Sequence, residues 1–161
     1  MADTPTNLGT EAAMALPPQT PEQIVIDTCT GAGLTKFQGY LIYAQGLQES
    51  GYVSHGYKVD NNFAGMKMPH TRKSPYIAGK GLPAPFKESF PGDPFNFYAH
   101  YNSLHDAVLD LLDRHKTFGI DWTKINTVAD YITFCTHTHY FQGSAAIYES
   151  NVNRLIAKYG Q

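Results

Sequence analysis

The stretch Thr35–Gly51, TKFQGYLIYAQGLQESG, decides how the chain is read. Phe37, Tyr40, Leu41, Ala44, Leu47 and Gln48 recur at helical spacing, which predicts a helix from about Thr35 to Ser50 with one face in the core. Gly51 stands where a left-handed C-cap is wanted. That ending puts Glu49 in the last turn. The negative end of the helix macrodipole disfavours an ionised carboxylate there, and apolar neighbours act in the same direction, so both raise its pKa. A general acid for glycoside cleavage needs this, because it must still hold its proton near neutral pH. The plainer reading is a solvent-exposed Glu in an unfavourable but tolerated place.

Outward from this helix the chain reads as mainly α. Residues 1–21 are small, polar and proline-containing and are expected to form a flexible leader, without the basic start or long apolar run of a secretory signal. Pro21 opens a shorter helix, PEQIVIDTCTGAG, which ends at the Gly31–Gly33 pair. Asp60–Lys67 is a turn-rich loop broken by Asn61, Asn62 and Gly65. Between Pro69 and about Tyr101, Pro75, Pro83, Pro85, Pro91 and Pro94 exclude long helices, while PYIAG and FNFYAHY fit short strands of a small β lobe. Helices then return. SLHDAVLDLLDRHKTFG opens on Ser103 and Asp106 in a capping-box-like arrangement, and TVADYITFC repeats it with Thr127 and Asp130. The last helix, SAAIYESNVNRLIAKYG, places Tyr148, Val152, Leu155 and Tyr159 on one face. A cleft between the helical groups and the β lobe is the natural binding place.

A chain of 161 residues suits one domain with a real core. Only 16% of it is charged, and Tyr, Phe, Asn, Thr and Gln make up the difference. Such side chains suit neutral hydrogen-bonding ligands such as sugars, although most of the aromatics belong to the core. With a net charge of −2 and no basic block, nucleic acid is not an expected partner. No stretch approaches the length of a membrane span. Cys29 and Cys135 read as two buried thiols, with a disulfide as the alternative. In CTHTHY, Cys135, His137 and His139 stand close enough for zinc, but no companion motif supports them. No metal and no cofactor is expected.

LQESG (Leu47–Gly51), followed by NNFAGMK (Asn61–Lys67), resembles the glucosaminidase family of peptidoglycan hydrolases, which includes many autolysins and flagellar-rod hydrolases. Members typically read A-x-x-x-L-E-S-G-W-G and then N-N-L-F-G-I-K. FYAHYNS (Phe97–Ser103) is similar to the family's aromatic strand feeding a helix, and YFQGSAAIYESNVNRLI, from Tyr140, to its terminal patch. The patches run in family order over roughly residues 35–159. Tyr52-Val53, Phe63-Ala64 and Tyr98 depart from the family pattern and mark a divergent member.

The resemblance implies an α+β, lysozyme-like two-lobed fold, with a small β-hairpin or loop lobe over a glycan groove and residues 22–161 as its single domain. It implies that Glu49 protonates the glycosidic oxygen and that Glu88, in FKESF, is the second carboxylate, with Asp93 in reserve. The substrate's own N-acetyl group could replace that second acid. Tyr140 is the counterpart of the family's functional tyrosine, whereas Tyr148, at helical spacing with Val152, reads as core. Asn62, Gly65, Lys67, Tyr52 and Tyr98 are expected against substrate, with Asn61 in support. The implied activity is that of a monomeric endo-β-N-acetylglucosaminidase on peptidoglycan glycan strands. A muramidase or lytic transglycosylase is the alternative within the enzymes, and a non-enzymatic glycan-binding module the alternative outside them. Such a protein acts on the bacterial cell wall, as a phage-encoded, virion-associated or specially exported protein.

Overall fold

The computed structural model describes residues 17–85, 92–140 and 144–159. Their elements, in chain order, are α1 (Pro21–Gly31), α2 (Lys36–Glu49), α3 (His55–Asp60), β1 (Gly79–Pro83), β2 (Phe97–His100), α4 (Leu104–Thr117), α5 (Val128–His137) and α6 (Ala145–Tyr159). Single 3-10 turns lie at Pro94–Asn96 and Trp122–Lys124. The fold is mainly helical, with one small two-stranded antiparallel hairpin that does not close into a barrel. Most of the expected leader, residues 1–16, lies outside the described residues.

Local chemistry sets the helix ends. Thr20 and Thr35 accept hydrogen bonds from the backbone N–H groups of Gln23 and Gln38, and Gln38 completes a capping box with Thr35. Thr127 and Asp130 form the predicted reciprocal pair at α5. At α4 the arrangement is partial: Ser103 Oγ accepts from Asp106 N–H and donates to the Asp106 carboxylate. Gly51, at φ +60°, turns the chain out of α2 with its N–H on the carbonyls of Gly46 and Leu47.

α2 differs from its expected one-sided burial. Gln38 through Gly46 are buried without interruption, so the helix is enclosed on all sides and acts as the core's central rod. α1 and α6 pack on it, α4 packs on α1, and α5 packs on α6. Gly39 and Gly46 allow close approach. A Cβ at Gly39 would stand 3.1 Å from Ile26 Cδ1, and one at Gly46 would stand 2.5 Å from Phe63 Cδ2. The buried Gln38 side chain of α2 finds distant partners, for its Nε2 donates to the carbonyls of Trp122 at 2.7 Å and Ile125 at 3.1 Å.

The β lobe is smaller and later than the proline pattern predicts, since β1 begins at Gly79, the last residue of PYIAG. Gly79 pairs with His100, Lys80 with Ala99 and Pro83 with Phe97, with an irregularity between Lys80 and Pro83. The hairpin is anchored by Asp60, buried at the end of α3. Its carboxylate accepts from Leu82 N–H at 2.8 Å and contacts His100 Nδ1 at 3.0 Å, while its carbonyl accepts from Tyr101 N–H. One residue therefore holds both strands to the helices.

The glycines of α2 and α3 provide a test. In Gly46→Ala the new methyl meets the stacked rings of Tyr52 and Phe63. Overpacking of about 1–3 kcal/mol should outweigh the helix-propensity gain of at most about 1 kcal/mol. Gly56→Ala, with nothing within 4 Å of its Cβ, receives only that gain. Thermal melts should show the first variant less stable than wild type and the second unchanged or slightly more stable.

Candidate active site

Glu49 is the last residue of α2, where the rod leaves the core, and its side chain reaches the surface. Its carboxylate is nevertheless held: Tyr148 Oη, from the first turn of α6, donates to Glu49 Oε1 at 3.1 Å. Surrounding protein desolvates the carboxyl and raises its pKa, and the Tyr148 hydrogen bond opposes that rise without cancelling it. Desolvation is thus the leading cause. Tyr148 is buried, and both burial and the Glu49 charge push its own pKa up, so it remains a donor. The expectation that Tyr148 faces the core holds for its ring. Its hydroxyl is the acid's partner, which helical spacing alone does not reveal.

Beneath the acid lies a buried polar row. Gln45, one turn earlier on α2, is fully buried, and its Oε1 accepts from the hydroxyl of Tyr131 on α5. Tyr131 Oη is also 2.8 Å from His115 Nε2 on α4. Burial first, and then the Arg114 charge, push the His115 pKa down to about 3, so the ring is neutral. The single Tyr131 proton goes to Gln45, so His115 must carry its proton on Nε2 and donate it. His115 Nδ1 and Gln45 Nε2 are then the ends of the row, buried and without a hydrogen-bond partner among the described residues.

Tyr140 borders this site. Its hydroxyl donates to the Ala64 carbonyl at 2.9 Å, and its pKa is pushed well up by burial and then by the Glu49 charge. Tyr140 also lines a cavity of about 750 Å³, together with Gly65, Lys67 and Arg114. Glu49 does not line that cavity, so Tyr140 is the link between them.

The other predicted residues separate into two groups. Gly65, exposed at φ +62°, and Lys67, whose ammonium lies 5.9 Å from the Phe95 ring centroid, are at the cavity wall. Asn62, expected against substrate, is taken up by the fold. Both its amide hydrogens go to backbone carbonyls, of Met66 at 2.7 Å and Ala99 at 2.9 Å, and its Oδ1 accepts from Met66 N–H. Asn61 adopts the left-handed conformation at φ 53° and donates to the Tyr101 carbonyl, a supporting role as expected. Tyr52, also expected against substrate, is buried between the rings of Tyr43 and Phe63. Tyr98 is half-buried on β2, bridged to Lys67.

Glu88 lies outside the described residues. Asp93, the reserve carboxylate, is buried, which alone would raise its pKa, but Phe95 N–H at 2.9 Å and His70 Nε2 at 2.6 Å bring it below the ordinary range. An ionised, occupied Asp93 has no proton to give. Cys29 and Cys135 are free, buried thiols, both pushed up to about 12 by burial. Among the described residues no group of three or more His, Cys, Asp or Glu side chains is placed to hold a metal ion.

No protein-family model, curated protein or solved structure matches this chain.

The Glu49–Tyr148 pair sets two expectations. Removing the opposing hydrogen bond in Tyr148→Phe should move the carboxyl titration of Glu49 further up, as read by carbon-detected NMR. A folded-state pKa above the unfolded value means that the folded protein binds this proton more tightly. That contribution is full below about pH 4.5 and is lost as pH rises through the folded value. Glu49→Gln cannot ionise, so its melting temperature should gain on wild type across that window and show no such gain below it.

Proposed function

We propose that this chain is a peptidoglycan hydrolase, an endo-β-N-acetylglucosaminidase resembling a divergent member of the glucosaminidase family, with Glu49 as its general acid. The observation that carries the reading is a single carboxyl, raised in pKa by desolvation and aimed by a buried tyrosine, at the point where the central helix meets the surface. The helical body with a small hairpin is compatible with a two-lobed, lysozyme-like arrangement.

In this reading Glu49 gives its proton to the glycosidic oxygen as the bond to C1 breaks, and Tyr148 orients the carboxyl and stabilises the anion left behind. Among the described residues no second carboxylate acts on the Glu49 charge, and Asp93 is occupied. Glu88 keeps its place as the candidate second carboxylate; in the substrate-assisted alternative the N-acetyl oxygen attacks C1 as the leaving group departs, and water then opens the cyclic intermediate and returns a proton to Glu49.

The test is digestion of purified peptidoglycan by wild type and Glu49→Gln, with the products borohydride-reduced and read by mass spectrometry. Reduced N-acetylglucosamine ends from wild type are expected, with the rate falling about 10²–10⁴-fold in the folded variant. Reduced or anhydro muramic ends would keep the acid and move the cleavage to the other bond. An active Glu49→Gln, or wall binding without products, would end the hydrolase reading based on this residue.

A further inference from the structure

The cavity beyond Tyr140 has an electrostatic character that a neutral glycan does not need. Lys67, Arg72 and Arg114 line it with the imidazoles of His70 and His139, and Asp93 behind the wall meets His70 at 2.6 Å and lies in the field of Lys67. Arg72 is already neutralised: its guanidinium binds Asp110 at 2.6 and 3.0 Å and Asp113 at 2.9 Å. It serves as wall. Arg114 differs, because among the described residues no carboxylate pairs with it, and its Nη1 is buried without a hydrogen-bond partner.

The Arg114 guanidinium lies over two aromatic rings, with Cζ 4.6 Å from the Phe118 centroid and 4.8 Å from that of Tyr140. Ring contacts leave the in-plane N–H donors of a guanidinium for hydrogen bonding. A helix C-terminus welcomes a cation, which accounts for an arginine in the last turn of α4 but not for an orphaned buried donor. Desolvation lowers the Arg114 pKa, the mark of a cation without its counter-ion.

We propose that this cavity is an anion subsite in which the Arg114 guanidinium, through its donors other than the buried Nη1, receives a carboxylate carried by the glycan, either the lactyl carboxylate of a muramic residue or a carboxylate of its peptide stem. The source of the carboxylate rests on the reading of the chain as a wall hydrolase; the anion subsite itself does not. Tyr140 lies against both Arg114 and the field of Glu49, so the subsite adjoins the candidate acid. A volume of about 750 Å³ accommodates a sugar with its substituent.

The experiment is an NMR titration of the full chain with N-acetylglucosamine, N-acetylmuramic acid and N-acetylmuramyl dipeptide, repeated with Arg114→Lys. The lysine keeps the charge and removes the planar fork. An acidic probe should bind wild type at least about tenfold more tightly than the neutral sugar, with shifts at the Arg114 side chain and Tyr140, and Arg114→Lys should lose that preference. Preference for N-acetylmuramic acid assigns the lactyl carboxylate; preference for the dipeptide alone assigns the stem. Equal affinity for neutral and acidic sugars, no binding of either acidic probe at millimolar concentrations, or a preference unchanged in folded Arg114→Lys would overturn the subsite. If that variant does not fold, the wild-type preference and the position of its shifts decide. Binding is read without turnover, so an inactive wild type that retains the preference overturns the hydrolase reading alone.

Discussion

The structure depends on a helix with no outward face. From Gln38 to Gly46, α2 is enclosed, and a fully enclosed helix tolerates only side chains that match their surroundings on every side. Its glycines set how closely Ile26 and the Tyr52–Phe63 stack approach. Its glutamines bond to partners on distant segments, Trp122, Ile125 and Tyr131. α1 and α6 dock on it, and α5 reaches it through Tyr131. Glu49 stands at the one end of this rod where the enclosure stops.

A second constraint orders the chain beyond the rod. Three successive residues, Asp60, Asn61 and Asn62, secure the hairpin and its flanking loop by hydrogen bonds to Leu82, Tyr101, Met66 and Ala99. These are buried or half-buried side chains bonding to backbone groups, which fixes position more firmly than surface ion pairs do. These bonds hold the loop that carries Gly65 and Lys67 to the cavity wall beside Tyr140.

What the sequence makes legible here is local. The Ser103 and Thr127 caps and the Gly51 turn all act within a few residues, and each stands where the sequence places it. The burial of Tyr148 was legible for the same reason, from its spacing with Val152. Less visible were interactions closed by the fold. Tyr148 meets Glu49 across 99 residues and Gln38 meets Trp122 across 84, separations over which no periodicity carries information. α2 reads as one-sided because glutamine and glycine look like surface in a hydrophobic pattern, although here the Gln38 amide is satisfied internally and glycine is small enough to be covered. Asn62 shows the converse, since a polar residue in a motif reads as available to a ligand until its amide is seen bonded to two carbonyls.

The buried row of His115, Tyr131 and Gln45 has a direction. Each bond donates toward α2, from imidazole to phenol to amide, so the bond dipoles add instead of cancelling. Its electropositive end is the Gln45 amide, one helical turn below Glu49, and its electronegative end is His115 Nδ1 in the interior. A phenol can donate either way, and the Gln45 carbonyl oxygen, which only accepts, sets the orientation and with it the histidine tautomer. Burial keeps the imidazole at the far end neutral, so the row ends there on an acceptor, Nδ1, and not on a second donor.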